Sequence, residues 1–241
     1  MELGLINKKV VVTGGTRGIG RAIAEGFIAE GAEVLITGTK PRAGWWDDVS
    51  ACQYFACDFA ESDQVSGLQN LLKTLKVDIL VNNAGIFSTA KIQETDPQVW
   101  QEMLQVNLTL PLLLMKTAAE NMKENKWGRI VNVGSIAGII SREGLGMYSS
   151  TKAGLAGLTR AVALELAEHN VLVNCVCPAY TDTDMLKSLS EEDRNTLLQK
   201  VPLRRFGKPE DVARVVLFLA SEANQFLTGQ ETVVDGAVTI Q

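Results

Sequence analysis

Tyr148 and Lys152 form a pair of side chains suited to proton transfer. They stand four positions apart in Tyr-Ser-Ser-Thr-Lys, so a helix would place both on one face, one turn apart. A lysine ammonium beside a phenol favours the phenolate and eases proton exchange near neutral pH. Ser135, which ends the run Asn-Val-Gly-Ser, adds a hydroxyl that can hydrogen-bond the same reacting oxygen. The expected chemistry is proton transfer at an alcohol or carbonyl oxygen.

A glycine-rich turn near the N-terminus is a second signal, which is needed because a Tyr-x-x-x-Lys pair arises by chance in many helices. The first apolar run leads into Thr-Gly-Gly-Thr-Arg-Gly-Ile-Gly at 13–20, and a helical pattern follows at once. Glycines let backbone N–H groups approach a pyrophosphate, and a helix N-terminus adds partial positive charge. The pattern predicts a dinucleotide site that uses Gly14, Thr16, Arg17, Gly18, Ile19 and Gly20.

Together, the glycine spacing and the proton-transfer pair resemble the short-chain dehydrogenase/reductase family. The spacing is Gly-x-x-x-Gly-x-Gly, and the resemblance extends over nearly the whole sequence. It implies hydride transfer between a nicotinamide and a carbonyl or alcohol, with Tyr148 as the proton donor and Ser135 orienting the oxygen. It also implies that Lys152 binds the nicotinamide ribose and that Asn107 supports a water-mediated proton relay.

The same resemblance assigns cofactor contacts to segments that follow the predicted strands. One segment matches the adenine contact, one lines the adenosine side, and one meets the nicotinamide carboxamide. Asn-Asn-Ala-Gly at 82–85 is, taken alone, equally typical of a turn that ends a strand. The implied contacts are Asp58 and Phe59, then Asn83, Ala84 and Gly85, and finally Pro178, Thr181 and Thr183.

The end of the second predicted strand favours NADP over NAD. NAD enzymes of this kind place a carboxylate there to bind the ribose 2′-hydroxyl, but Ile-Thr-Gly-Thr-Lys at 36–40 has none. Arg17, with Thr39, Lys40 or Arg42 nearby, can pair with a 2′-phosphate instead. Taken singly, Lys40 and Arg42 are also typical of solvated loop charges, and NAD remains the alternative.

The elements that would position these residues alternate between strand and helix patterns. Near-continuous β-branched runs predict strands covered on both faces, and amphipathic stretches between them predict helices. The expected fold is α/β, a single Rossmann-like doubly wound parallel sheet of about seven strands with helices on both faces. The predicted strands are 9–13, 33–37, 53–56, 78–82, 129–133, 171–176 and 231–234, and the predicted helices are 19–30, 62–75, 97–125, 147–168 and 210–220.

One crossover is too short for a covering helix. Only the segment 38–52, which contains Pro41 and Gly44, separates the second and third strands, so a loop or single turn is expected. Trp45 and Trp46 lie in this segment, and the pattern leaves open whether they pack on the adenine pocket or on a neighbouring subunit. The whole chain, 1–241, is expected to form one domain, with a helical substrate lid at about 184–205.

Composition excludes several classes of function. The net charge of −5 and a pI near 5.1 disfavour a nucleic-acid partner. There is no apolar run long enough to span a membrane and no signal-peptide core, so we expect a cytoplasmic protein without a membrane partner. The four cysteines lack metal-ligand spacing, so no metal is expected and reduced thiols are predicted.

Two resemblances within the family leave the substrate open. Segments 189–194 and 201–209 look like those of 3-oxoacyl-carrier-protein reductases, which implies an acyl-thioester substrate, an acyl carrier protein partner and a homotetramer. Lys126 and His169 match the basic positions that dock the carrier. Taken alone, His169, the only histidine in the sequence, is more typical of a solvated residue at a helix end. The missing crossover helix and Thr-Asp-Thr-Asp-Met at 181–185 also look like NAD-dependent dihydrodiol dehydrogenases acting on a small molecule. A cofactor-binding regulator on the same fold is the non-enzyme alternative.

Overall fold

Seven parallel strands form one sheet in the computed structural model, which describes residues 2–41, 43–187 and 190–241. The strand order is β3-β2-β1-β4-β5-β6-β7. Strands β2 and β3 are added on one side of β1, and strands β4 to β7 are added on its other side. The predicted doubly wound parallel sheet is therefore confirmed. The strands are β1 (Lys9–Val12), β2 (Glu33–Gly38), β3 (Cys52–Ala56), β4 (Ile79–Asn82), β5 (Gly128–Val133), β6 (Val171–Pro178) and β7 (Glu231–Val234).

Helices cover both faces of the sheet, which explains why the strands are apolar throughout rather than alternating. One buried cluster joins the sheet to α1 and α8, and the other joins it to α2, α4 and α5. No helix among the described residues is both long and apolar enough to cross a bilayer. The helices are α1 (Gly18–Ala29), α2 (Ser62–Leu75), α3 (Pro97–Leu104), α4 (Leu110–Glu124), α5 (Gly146–Leu166), α6 (Asp184–Lys187), α7 (Glu191–Gln199) and α8 (Pro209–Ala220).

The helical prediction over 97–125 is confirmed in its bounds, but a π turn interrupts the segment. A π-helical turn, Gln105–Thr109, separates α3 from α4 and contains Asn107. Pro111 supplies the physical reason, because it has no N–H to donate to the carbonyl of Asn107, four residues earlier. Single π turns of this kind are common at functional sites.

The shortened crossover between β2 and β3 is confirmed, and Trp46 fills the space that a helix would cover. Its side chain is only 5% exposed and stacks on Tyr54, with ring centroids 4.5 Å apart. Trp45 packs edge-on against Trp46 at 6.0 Å, and the Arg21 guanidinium lies 5.5 Å from the Trp45 ring. The two tryptophans therefore join the core beside α1, within their own chain.

The expected lid is only partly helical. It consists of α6, the longer α7 and a turn that leads to α8, while residues 188 and 189 lie outside the described residues. Ser190 caps α7, since its Oγ accepts the backbone N–H of Asp193 at 3.1 Å. The acidic start of α7 is exposed to solvent, as expected for a helix N-terminus.

Candidate active site

The proton-transfer pair lies on the first two turns of α5, beside the carboxyl end of β5. The Nζ of Lys152 lies 5.7 Å from the centre of the Tyr148 ring and donates a hydrogen bond of 2.8 Å to the carbonyl of Val133. Lys152 is only 5% exposed, and Val133 is the last residue of β5. The carbonyl at the end of β5 therefore holds a buried ammonium near the Tyr148 ring.

Ser135 lies two residues beyond Val133, where the chain leaves the sheet. Its Oγ accepts the N–H of Ala137 at 3.1 Å, so its own O–H proton remains available to another oxygen. The short turn that follows packs tightly on α5, because a Cβ on Gly138 would lie 3.0 Å from the carbonyl carbon of Lys152. Glycine at this position lets the serine approach the helix that carries Tyr148.

Asn107 lies in the π turn, almost fully buried, and is clamped to the chain after β4. Its Nδ2 donates to the carbonyl of Ile86 and its Oδ1 accepts the N–H of Ile86, both at 2.9 Å. A Cβ on Gly85 would lie 3.3 Å from Asn107 Oδ1 and 3.6 Å from Lys152 Nζ. The Asn107 side chain and the Lys152 ammonium therefore both border the space that a side chain at position 85 would occupy.

The glycine turn between β1 and α1 has the geometry of a phosphate cradle. Gly14 and Gly18 have φ values of +65° and +54°, a conformation that favours glycine. A Cβ on Gly20 would lie 2.2 Å from the carbonyl oxygen of Gly14, so the turn closes directly onto α1. No side chain caps α1 and no acidic residue lies in its first turn. Its first N–H groups are thus available to an anion.

Asn83 and Ala84 support this turn from the end of β4. Thr13 Oγ1 accepts the N–H groups of both residues at 3.0 Å, and Asn83 Nδ2 donates to the carbonyls of Thr13 at 2.9 Å and Gly14 at 3.2 Å. Sequence reasoning missed Thr13. The signal was a threonine directly before the first glycine, at the end of a buried strand.

The adenine-side candidates lie where β2 and β3 end. Asp58 Oδ1 accepts the N–H of Ala60 at 3.1 Å, which shapes the turn after β3, and Phe59 is buried beneath it. Thr39 and Lys40 are exposed just beyond β2. Arg42 lies outside the described residues.

The carboxamide-side candidates continue from β6 toward the glycine turn. Thr183 packs over Gly18, since a Cβ on that glycine would lie 3.3 Å from Thr183 Cγ2. Arg17 reaches the same segment through an exposed ion pair with Asp184, with 3.2 Å between Nη1 and Oδ2. Pro178 ends β6, and Thr181 is held by parallel bridge pairing with Gly207. These contacts place the segment opposite the start of α1.

Cys175 and Cys177 face the same side of β6, as predicted, with 3.8 Å between the sulfur atoms. The hydrogen bond with Cys177 and burial raise the pKa of Cys175 well above its ordinary value. Burial also raises the pKa of Cys57 to about 11. All four cysteines are free thiols.

Two sequence candidates do not border this site in the same chain. Lys126 and His169 precede β5 and β6, so they lie at the amino ends of the strands, whereas Ser135 follows the carboxyl end of β5. His169 contacts Glu168 at 3.4 Å, and the carbonyl of Lys126 accepts the Asn170 side chain. The expectation that these basic residues lie near the site is wrong for a single subunit.

Comparison with known proteins identifies the family of this chain. Residues 14–239 match the family described as enoyl-(acyl carrier protein) reductase. A structure described as a short chain dehydrogenase/reductase family protein is 36% identical, with a TM-score of 0.90 and full coverage of both chains. The chain belongs to the short-chain dehydrogenase/reductase family. This confirms the resemblance inferred from the glycine spacing and the Tyr-Lys pair.

Curated relatives of this short-chain dehydrogenase/reductase include 3-oxoacyl-[acyl-carrier-protein] reductases. The one from Aquifex aeolicus is 41% identical, covering 99% of this chain and all of the relative. The one from Chlamydia trachomatis is 36% identical over 97% of this chain and 98% of the relative. A gluconate 5-dehydrogenase from Burkholderia cenocepacia, solved with NADP and tartrate, is 27% identical, with a TM-score of 0.92 and coverage of 100% and 98%.

Proposed function

We propose that this protein is an NADP-dependent carbonyl reductase that converts 3-oxoacyl thioesters to 3-hydroxyacyl thioesters. One observation carries the proposal: Ser135, Tyr148 and Lys152 converge at the sheet edge where the glycine turn forms a phosphate cradle. The similarity to 3-oxoacyl-[acyl-carrier-protein] reductases over nearly the whole chain supports the thioester as substrate.

The residues present fit a nicotinamide dinucleotide. The uncapped start of α1 and the positive-φ glycines leave N–H groups for the pyrophosphate, and Arg17 is exposed beside them to bind a 2′-phosphate. When bound, the reduced nicotinamide supplies the hydride that converts the carbonyl carbon to an alcohol carbon. The chain itself holds the substrate oxygen and moves a proton to it.

Each polar residue has a distinct role in this proposal. Ser135 donates its O–H to the substrate oxygen, and Tyr148 donates the proton that completes the alcohol. Lys152, held by Val133, keeps a positive charge beside the phenol and binds the ribose. Asn107 supports the route by which Tyr148 regains its proton, because its clamp on Ile86 keeps that backbone in place near Lys152.

Replacing Tyr148 with phenylalanine tests the mechanism. The change removes the donated proton but keeps the ring that packs edge-on against Phe87 at 5.0 Å. We expect reduction of acetoacetyl thioesters to fall at least about a thousandfold, while the NADPH dissociation constant stays within about twofold. The measurements are NADPH oxidation, followed through the loss of the reduced nicotinamide absorbance, and a fluorescence titration of NADPH binding. Undiminished turnover would show that Tyr148 is not the proton donor.

We further propose a homotetramer assembled through α4, α5 and the C-terminal strand, with an acyl carrier protein as the substrate's carrier. Support for the assembly comes from apolar side chains left exposed on these elements and the loop before β7, with Leu164 at 82% and Phe226 at 96%. Light scattering after size exclusion should give four chain masses, and a monomer mass would contradict the assembly. A carrier-linked thioester should give a higher kcat/KM than a short thiol mimic.

An oxidoreductase acting on a small hydroxy acid is the second candidate. The observation that favours it is the structural similarity to the Burkholderia cenocepacia gluconate 5-dehydrogenase. The same Ser135 and Tyr148 would serve either substrate, because both reactions interconvert a carbonyl and an alcohol. Rates measured with thioesters and with hydroxy acids separate the two candidates.

A further inference from the structure

Arg142 and Tyr180 join the two segments that flank the candidate active site. Arg142 lies in the stretch between Ser135 and Tyr148, and Tyr180 lies in the segment that follows β6. The Arg142 guanidinium donates a hydrogen bond of 3.0 Å to the phenol oxygen of Tyr180, and its central carbon lies 5.7 Å from the ring centre. We call these two residues the rim pair.

Two further contacts connect the segments of the rim pair to the neighbours of Ser135 and Tyr148. Ser141, which precedes Arg142, shares a hydrogen bond of 2.9 Å with Ser149, which follows Tyr148. Tyr180 packs in the small apolar cluster that contains Ile136, the residue after Ser135. The rim pair is therefore tied to both the serine and the tyrosine through their immediate neighbours.

The charge of Arg142 has no carboxylate partner among the residues that the structure describes. Its neighbour Glu143 pairs with Lys91 at 3.3 Å instead. The arginines of the opposite segments are paired, Arg17 with Asp184, Arg194 with Asp182 and Arg205 with Asp211. Arg142 thus differs from these three arginines because no carboxylate of the described residues pairs with it.

The rim pair presents hydrogen-bond donors only. The phenol oxygen accepts from Arg142, so the phenol O–H and the remaining guanidinium N–H groups point to no acceptor in the described part of the chain. A planar fork of N–H donors beside an O–H donor matches the two oxygens of a carboxylate. A neutral ketone would offer this donor set one acceptor oxygen and no opposite charge.

We propose that Arg142 and Tyr180 bind the carboxylate of a carbonyl or alcohol substrate whose reacting oxygen lies at Ser135 and Tyr148. The proposal rests on the proposed carbonyl chemistry at those two residues and extends it to carboxylate-bearing substrates. The rim pair would select and orient the substrate, and Tyr148 would remain the proton donor.

The test uses an oxo acid and its methyl ester, which differ only in charge at the carboxyl group. The wild-type enzyme with NADPH should show a higher kcat/KM for the acid. Arg142→Gln should lower that value about 10- to 100-fold, the loss expected for a charged hydrogen bond, and should leave the ester within about twofold. Tyr180→Phe should show a smaller loss confined to the acid. Arg214→Gln, an exposed arginine on α8, is the matched control and should change neither rate.

Equal loss for acid and ester in Arg142→Gln would show a purely structural role and overturn the proposal. A second substrate pair, a coenzyme A thioester and its N-acetylcysteamine counterpart, tests whether Arg142 binds a phosphate of the substrate instead of a carboxylate. Loss confined to the coenzyme A thioester would also overturn the carboxylate assignment.

A binding measurement separates failure of the rim pair from failure of the proposed function. Benzoate and benzamide are titrated into the enzyme–NADPH complex by calorimetry. If no carbonyl is reduced but benzoate still binds and Arg142→Gln abolishes that binding, the proposed reaction fails and the carboxylate site stands. Turnover of thioesters with no benzoate binding and no preference for the acid refutes the rim pair alone.

Discussion

Gly20 is the position where one added methyl group should most directly disturb the phosphate cradle. A Cβ there would lie 2.2 Å from the carbonyl oxygen of Gly14 and 2.4 Å from Asn83 Nδ2. Neither neighbour can yield easily. The Gly14 oxygen belongs to a turn with positive φ, and the Asn83 amide is held by hydrogen bonds to Thr13 and Gly14. Gly20→Ala must therefore displace the turn from α1.

The expected cost follows from three contributions. Overpacking against backbone costs about 1–3 kcal/mol, and disrupting two hydrogen bonds of Asn83 costs about 0.5–1.5 kcal/mol each. Alanine in a helix returns about 0.5–1 kcal/mol. The free energy of unfolding should fall by about 3 kcal/mol, and Tm by about 6–12 °C for a domain of this size. Because the turn N–H groups move with the backbone, the NADPH dissociation constant should rise at least about tenfold.

Thermal and urea unfolding, each with and without NADPH, measure both effects. Gly157→Ala in α5 is the matched control, because its Cβ would meet only the Arg160 side chain, at 3.8 Å. That variant should be as stable as the wild type or slightly more so. Gly20→Ala with unchanged Tm and unchanged NADPH affinity would refute the packing argument. Loss of stability with normal NADPH affinity would separate the turn from cofactor binding.

Three further predictions concern the cofactor, the crossover and pH. Arg17→Gln should lower kcat/KM with NADPH about tenfold more than with NADH, and Arg21→Gln should not; equal losses with both cofactors would contradict the 2′-phosphate role. Trp46→Ala should lower the free energy of unfolding by about 3–5 kcal/mol in urea, and a loss below about 1 kcal/mol would show that Trp46 does not replace the missing helix. The backbone N–H of Lys208 and the Arg205 guanidinium hold the pKa of Asp211 below its ordinary value. The stability lost in Asp211→Asn should therefore be largest above the unfolded-state pKa and vanish as pH falls through the folded-state pKa, and a pH-independent loss in urea titrations would contradict the charge effect.

The elements were predictable from the sequence because their signals are local. β-branched runs identified six of the seven strands, and a weaker pattern at 53–56 indicated the other one. The amphipathic repeats of α1 and α2 gave their bounds to within a residue or so. The π turn inside the predicted helix over 97–125 depends on a subtler local signal, the missing N–H of Pro111. Attention to the residue four positions before that proline would have pointed to an interruption at Asn107.

The sequence named candidate site residues, but it could not give the contacts among them. Tyr148 and Lys152 share a helix face by spacing alone, so their proximity needed no tertiary information. The clamp of Asn107 on Ile86 and the support of Gly14 by Asn83 join residues on different elements. Lys126 and His169 were misplaced for the same reason, because only the strand direction shows that they lie at the opposite edge of the sheet.

By itself, the sequence determined the sheet class, the family and the order of the proton-transfer groups, because periodicity and motif spacing are properties of neighbouring residues. The tertiary structure decided how Trp46 closes the short crossover and how Arg142 forms a hydrogen bond with Tyr180. It also decided that Lys126 and His169 lie at the amino ends of the strands, at the edge opposite to Ser135. The contact of Arg142 with Tyr180 joins segments that follow different strands, and it arises only when the parallel strands bring their carboxyl ends together.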